Sequence, residues 1–345
     1  MLEMHDRSRF DVRAYSYGAD DGRAMRRRLE AAFDGFRDVG GLTDIAVARA
    51  IFADKIDILV DLKGYTRDAR TGVLMLHPAP VQVNYLGYPG TLGSGICDYI
   101  VTDRFVTPPD SAADYSESFA YMPHSYHPHG RRAAAGQPPG RAEVGLPPDS
   151  FVFCSFNQPY KITPDMFSLW CRLLALVPGS VLWLLDSDTA KGNLRNEALR
   201  RGVDPRRLIF APDMAQPGHI ARLQLADLVL DTAPCGAHTT ASDALWAGVP
   251  VVTSPGETFA SRVAGSLLQA AGLGELITAD FGGYFDLALD LATDVRRLDA
   301  LRARLRRSRD SCALFDVAGY TADLEHVYEI MWRRCQAGLP VAAIV

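Results

Sequence analysis

The sequence predicts an α/β protein made of two Rossmann-like halves. Three observations carry this: unbroken apolar runs such as Ile56–Leu62 and Val181–Leu185, their regular alternation with helical segments, and one aperiodic stretch, Arg131 to Ser150, rich in Pro, Gly and Ala. A strand buried on both faces of a parallel sheet reads as a continuous apolar run rather than an alternating one. Each crossover must lay its helix back on the sheet, so repeated β-α units specify a doubly wound sheet. The aperiodic stretch supplies the break between the halves.

In the first half, FDVRAYSYG reads as a strand, GRAMRRRLEAAF as a helix, and IDILVDL, VQVNYLGYPG and CDYIVTD as strands. After the break come strand Phe151–Phe156, helix Pro164–Leu176, strand Val181–Leu185, helix Gly192–Arg201, strand RLIF and helix Ile220–Leu225. Strand Leu228–Thr232, helix Ala241–Ala247, strand VVTS and helix Ala260–Ala271 follow, and Asp294–Arg334 reads as mostly helical. The expected domains are 1–135 and 151–293, with 136–150 as linker and 294–345 as C-terminal helices that pack back across the domains. Ligands of such folds sit in a crevice outside the carboxyl ends of the strands, so loops after strands are where chemistry is expected.

The chain has 345 residues, with 36 Lys+Arg against 41 Asp+Glu and a formal charge of −5. A mild acidic balance without a basic tract argues against a nucleic-acid partner. The one basic run, Arg302 to Arg309, reads as the solvated face of a helix. No apolar run approaches the about 20 residues of a membrane span, and the opening MLEMHDRSRF has charges where a signal peptide needs an apolar stretch. A cytoplasmic protein without a membrane partner is expected. The six cysteines have no Cys-x-x-Cys pair and read as reduced, mostly buried thiols.

Four segments are candidates for chemistry. In Leu228–Gly256 a buried strand ends at Asp231–Thr232, and after a small-residue loop His238, Thr239 and Thr240 open a helix that Gly248 and Pro250 close. Such a helix start presents N–H groups and a positive dipole end to a phosphate, and the threonine hydroxyls add donors. Asp243, one turn in, is placed to accept from a ribose or sugar hydroxyl. Thr and Asp also serve as plain helix caps. In FNQPYKITP, Gln158 and Lys161 follow a core strand, where a Lys can neutralise a leaving diphosphate, although a loop Lys is often just solvated. In PGHIARLQ, His219 and Arg222 lie i, i+3 on one helix face, an arrangement equally suited to an exposed surface pair. In VQVNYLGYPGTLGSG, Gly87 and its neighbouring glycines permit close backbone approach to a ligand or serve tight turns. Its spacing is neither GxGxxG nor Walker A.

Two further signals carry less. His124, His127 and His129 lack a completing carboxylate or Cys for a metal and read as solvent-exposed or domain-junction residues. Asp186-Ser187-Asp188 resembles a DxD metal motif but stands as an isolated acidic pair after a strand.

These segments in this order resemble the catalytic region of the O-linked N-acetylglucosamine transferases, the SPINDLY-like group. The residues that carry the resemblance are DLKGYTRDAR, HPAPVQVNYLGYPGTLG, CDYIVTD, YSESFAYMPHSY, FNQPYKI, PGSVLWLL, HIARLQLADLVLDT, HTTASDALWAGVPVVTSPGETFASRVAGSLL and LEHVYEIMW. The resemblance implies a GT-B fold, with 1–135 on the acceptor side and 151–293 binding the UDP-sugar. It implies metal-independent, inverting transfer of GlcNAc from UDP-GlcNAc to Ser or Thr hydroxyls of proteins. UDP-GlcNAc would then be the donor substrate and a protein the acceptor, with no cofactor; a homo-oligomer is left open. Related members use other donors such as GDP-fucose, and a non-catalytic nucleotide-sugar-binding protein is a further alternative.

By the same resemblance Lys161 would assist leaving-group departure with Gln158 beside it. His238, Thr239 and Thr240 would hold phosphates, Asp243 the ribose, and His219 and Arg222 the uridine side. Cys235 would meet the sugar or phosphate through its backbone, and Gly87 would border the GlcNAc. Gln216 and Asp57 depart from animal members, which have Lys and His there. Met1 is expected to fall within the family's first catalytic β-α unit, leaving the N-terminal sheet short of a strand; that unit's catalytic His and the preceding tetratricopeptide superhelix would lie outside this sequence.

Overall fold

The computed structural model describes residues 1–130 and 136–345; the first five residues of the Arg131–Ser150 stretch lie outside the described residues. In chain order the elements are β1 (Arg13–Ser16), α1 (Ala24–Ala31), β2 (Gly35–Asp38), α2 (Asp44–Ala53), β3 (Ile58–Asp61), α3 (Thr71–Leu74), β4 (Val81–Asn84), β5 (Tyr99–Asp103) and β6 (Ser118–Met122). They continue as β7 (Val152–Ser155), α4 (Pro164–Leu176), β8 (Val181–Leu185), α5 (Lys191–Arg200), β9 (Leu208–Ala211), α6 (Gln216–Leu223), β10 (Leu228–Leu230), α7 (Thr239–Ala247) and β11 (Val251–Val252). The remainder is α8 (Phe259–Ala270), α9 (Phe281–Thr293), α10 (Val295–Ser308) and α11 (Val317–Gln336). Every strand pairing is parallel, as unbroken apolar runs between helices require.

The chain divides into two compact units, Met1–Gly130 with Asp316–Val345, and Arg131–Phe315. The C-terminal helices are therefore split between them, with α10 in the second unit and α11 in the first. The described part of the linker segment, 136–150, falls in the second unit and holds a short 3-10 turn at Arg141–Val144.

In the first unit β3-β4-β5-β6 form one sheet and β1-β2 a separate two-stranded one. Helix α2 starts at Thr43, whose hydroxyl accepts from the Ala46 amide at 3.3 Å. It buries Val47, Ala48 and Ile51 against Val39 and Val73, with Tyr15, Tyr17, Ile56 and Leu59 packed alongside. Helix α11 packs on β4 and β6. Half-buried Tyr320 on that helix hydrogen-bonds the hydroxyl of Tyr85 and donates to the carbonyl of Tyr126. The free edge of β6 is covered by the segment around Ile344, whose backbone exchanges bonds with Tyr121 (3.0 Å) and Phe119 (2.9 Å).

In the second unit the sheet order is β11-β10-β7-β8-β9. The residues of β7 are fully buried, as are Leu228, Val229 and Leu230 of β10. Helix α4 is capped by the Thr163 hydroxyl and opens with Pro164, a residue preset for a first helical position. It brings Trp170 into the core, where the indole donates to Tyr284 of α9 at 3.1 Å. The Tyr284 hydroxyl in turn donates to the Asp231 carbonyl at 3.0 Å, so the end of β10 is fixed from below.

Three expectations change. The run Arg302–Arg309 is not simply a solvated face: Arg302 pairs with Asp227 at 3.0 Å and Arg309 lies over the Trp246 ring at 5.0 Å, while Leu301 and Leu305 of the same helix are buried. His129 is buried and stacks on His127 with centroids 4.3 Å apart, and only His124 of that trio is exposed. Of the six cysteines, all free, Cys97, Cys154 and Cys171 are buried and the other three half-buried. Asp186 pairs with Lys191 at 3.1 Å, and among the described residues no group of three or more His, Cys, Asp or Glu is arranged to hold a metal. Among them, too, no helix is long and apolar enough to cross a membrane.

Candidate functional site

The carboxyl ends of β7, β10 and β11 lie side by side, and the loops leaving them bring most of the expected residues together. After β7 the chain passes through Asn157 and Gln158 into a 3-10 turn, Pro159–Lys161. That turn directs the Lys161 ammonium at the loop after β10, where it donates to the Gly236 carbonyl at 2.7 Å. Gln158 is exposed at the mouth of the turn. The same β10 loop carries Cys235, half-buried, whose carbonyl accepts from the Thr232 hydroxyl at 2.8 Å.

His238 is the N-cap residue of α7, with no side-chain cap bond, and Gly248 closes that helix in the left-handed region at φ 84°. The His238 side chain thus leaves the N-terminal amides of α7 uncapped, beside Lys161, and their dipole adds to its charge. The His238 ring supplies no charge. Burial, and then the Lys161 ammonium, lower its pKa to about 4, so the imidazole is neutral at pH 7. Its Nε2 lies 3.3 Å from the Ala260 carbonyl; a neutral ring donating there presents Nδ1 as an acceptor. Positive potential in this corner thus comes from Lys161 and the helix end.

Under the loop sits Asp231, 2% exposed. Its carboxylate accepts from the Ala237 amide (2.6 Å), the Thr232 amide (2.7 Å) and the Thr253 hydroxyl (2.7 Å). Burial pushes its pKa up to about 6, against the lowering effect of these bonds and of Lys161. Gly236 is closely packed: a Cβ there would stand 3.1 Å from Asp231 Oδ2 and 3.4 Å from the Ala260 carbonyl. Asn157, also buried, links the two loops. Its amide donates to Thr232 Oγ1 at 2.9 Å and accepts from Thr240 Oγ1 at 2.7 Å. Thr240 therefore spends its hydroxyl proton on Asn157, while Thr239 is exposed at the helix start. Asp243 is buried on the first turns of α7.

His219 and Arg222 are joined, Arg222 to His219 Nδ1 at 2.9 Å, and Arg222 also donates to the Pro212 carbonyl at 2.5 Å. Arg222 is 1% exposed, so this is no surface pair. Its guanidinium lies 4.7 Å from the centre of the Phe156 ring, and the His219 ring packs 5.3 Å from the same phenylalanine. Phe156 thus connects this pair to the loop that carries Lys161. A planar cation held over an aromatic ring is attracted to the ring face.

Gly87 lies in the first unit. A Cβ on it would meet the Leu62 carbonyl oxygen at 2.1 Å and Lys63 Cα at 2.7 Å, so the crossing of two backbones already requires glycine there. Gly87→Ala is expected to lower Tm by an amount corresponding to about 1–3 kcal/mol or more, measured by thermal denaturation without ligand; an unchanged Tm would refute the packing role.

The residues that the sequence left unmarked are Asn157 and Asp231. Both are polar residues just past a buried strand. That position is a signal for inward-facing capping groups, but it does not tell which of Asn157 and Gln158 turns inward.

With this geometry in view, the chain can be set beside known proteins. The family described as Glycosyl transferase family 41 matches residues 1–133 and 138–324. The probable UDP-N-acetylglucosamine–peptide N-acetylglucosaminyltransferase SEC of Arabidopsis thaliana is 41% identical over 95% of this chain and 34% of its own length. The probable UDP-N-acetylglucosamine–peptide N-acetylglucosaminyltransferase SPINDLY of Oryza sativa is 34% identical over 98% of this chain and 37% of its own. The chain thus spans about a third of the length of these relatives. A mutant of Thermobaculum terrenum O-GlcNAc transferase superposes with a TM-score of 0.91 at 35% identity, over 98% of this chain and 64% of that one. Anabaena HepE, solved with UDP and glucose, shares the fold with a TM-score of 0.59 at 15% identity, over 92% and 91% of the two chains. The fold is GT-B, and a match that runs through both units and every loop of the cluster means that this chain belongs to glycosyl transferase family 41.

Proposed function

We propose that this chain binds UDP-GlcNAc at the loops after β7 and β10 and transfers GlcNAc, with inversion, to Ser or Thr hydroxyls of proteins. The observation that carries the reading is Lys161 docked on the Gly236 carbonyl at the uncapped start of α7. In such a transfer the acceptor hydroxyl gives up its proton to solvent and its oxygen bonds to the anomeric carbon as the bond from that carbon to the β-phosphate oxygen breaks, and UDP leaves with the electron pair. Negative charge grows on the diphosphate, where a preorganised ammonium and a helix N-terminus stabilise it most. These groups serve the role that a divalent cation fills elsewhere, so the reaction is read as metal-independent. The names of the SEC and SPINDLY relatives support UDP-GlcNAc as donor and a peptide as acceptor.

In this reading Thr239 and the α7 amides hold phosphate, and Asp243 faces the ribose. His219 and Arg222 line the uridine side, Cys235 contributes its backbone, and Gln158 flanks Lys161. His238 contributes through its backbone rather than through charge.

Thermal denaturation with UDP, UDP-GlcNAc, GDP and GDP-fucose tests it. A ligand at 100 times its Kd stabilises the native state by about 2.7 kcal/mol. Tm is expected to rise with the two uridine ligands and to stay put with the guanosine ones, and EDTA is expected to leave the shift intact. A rise with GDP-fucose instead would replace the donor. No rise with any ligand would end the nucleotide-sugar reading, and a rise with no release of UDP from UDP-GlcNAc in the presence of protein acceptors would leave a binding protein.

A further inference from the structure

We propose that Asn157 is a positioning residue of this site: by bridging Thr232 and Thr240 it fixes the Lys161 loop against the start of α7. The inference rests on the reading above, in which Lys161 meets a leaving diphosphate.

The loop from Asn157 to Thr163 is fastened to the segment after β10 at three places. Asn157 holds its beginning, Lys161 its middle through Gly236, and the Thr163 hydroxyl its end, donating to the Ala233 carbonyl at 3.3 Å. Asn157 alone of the three reaches α7 itself, through Thr240. Between Asn157 and Lys161 the backbone is a tight turn, with the Lys161 amide on the Gln158 carbonyl at 2.9 Å. Little slack separates the amide clamp from the ammonium, so a shift at Asn157 moves the charge.

The polarity of the clamp is forced. The Thr232 hydroxyl proton goes to the Cys235 carbonyl, so Thr232 Oγ1 receives from the Asn157 amide nitrogen. The Asn157 oxygen is then left to accept from Thr240. An amide satisfies both directions at once; a carboxylate of the same shape has no donor. The charged and titratable groups facing this point are Asp231, whose Oδ1 lies 3.5 Å from the Asn157 amide nitrogen, with Lys161 and His238 beyond it. An aspartate at position 157 would set two buried carboxylates side by side, and such pairs retain a proton well above the ordinary carboxylate range. That proton would restore the missing donor.

The test compares UDP release from UDP-GlcNAc, with a serine-containing acceptor peptide, for the wild type, Asn157→Ala and Asn157→Asp. Misplacing a catalytic group by about an ångström costs on the order of 100-fold in rate. Asn157→Ala is expected to lower kcat by about that factor with a smaller change in the donor KM, because the lost alignment acts where leaving-group charge develops. Asn157→Asp is expected to lose activity near pH 8 and to regain part of it toward pH 6, with a steeper slope than the wild type, in which Asp231 already titrates at about 6. A role in stability alone would lower Tm without splitting kcat from KM and would give parallel pH profiles. Asn157→Ala with a kcat within about threefold of wild type, or Asn157→Asp with the wild-type profile, overturns the proposal; if Asn157→Ala does not fold, the Asn157→Asp profile decides. UDP-induced stabilisation of the wild type is measured first. Its absence removes the donor-site reading and this proposal together, whereas its presence with unaffected variants removes this proposal alone.

Discussion

Lys161→Ala is expected to lower kcat for the proposed GlcNAc transfer by about 10²–10³-fold, the range for removing one preorganised charge-stabilising group. The donor KM changes less, because a diphosphate still esterified to the sugar carries less charge at the bridging oxygen than one that is leaving. Stability is nearly spared. The Lys161 ammonium donates to the Gly236 carbonyl from a half-buried position. Its loss costs about 1 kcal/mol, or a few degrees in Tm. Steady-state kinetics paired with thermal denaturation check both halves. A kcat within tenfold of wild type, or a collapse of Tm, contradicts the leaving-group role.

Asp231→Asn is expected to stabilise the protein at neutral pH and to lose that advantage in acid. The carboxyl titrates at about 6 in the folded chain against an ordinary value of 3.8, because burial disfavours its charged form. A folded pKa above the unfolded one means that the native state holds the proton more tightly. The contribution of this group is therefore full below about pH 4 and is lost as pH rises through 6. A shift of about two units corresponds to about 3 kcal/mol. The asparagine keeps an oxygen for the Ala237 and Thr232 amides, and Thr253 turns its hydroxyl to accept. The difference in Tm between variant and wild type should therefore grow from pH 4 to pH 7. A difference that is flat with pH, or that shrinks as pH rises, would show that Asp231 is charged at little cost.

The parallel α/β architecture was legible because its strands are unbroken apolar runs; β8 and α4 have the bounds that the sequence predicts. Strand β2, a half-exposed Gly-Phe-Arg-Asp, has no such run. Helix α9 was hidden by two glycines in its first turn, although the Asp280 cap, accepting from the Gly283 amide at 2.8 Å, was there to be read. The Lys161 loop could be located because it follows a core strand. The burial of Arg222 could not, because spacing fixes a helix face but not what that face meets. Helix α6 begins at Gln216 rather than near Ile220, and the added turn places Arg222 among Ile220, Ala221 and Leu223 on the buried side. The inward turn of Asn157 depends on hydroxyls 75 and 83 residues away, which a local pattern does not encode.

The return of residues 316–345 to the first unit has a consequence for biosynthesis. Residues 1–130 leave the ribosome first, yet β4 and β6 wait for α11, and the edge of β6 waits for Ile344. At about 5–20 residues per second the intervening segment takes roughly 10–40 s to emerge. During that time the contiguous second unit has all of its own sequence available, whereas the first must keep a bare parallel edge from pairing elsewhere. Of these two units, the one made earlier is thus the one completed later, and nascent-chain chaperones have the longer task there.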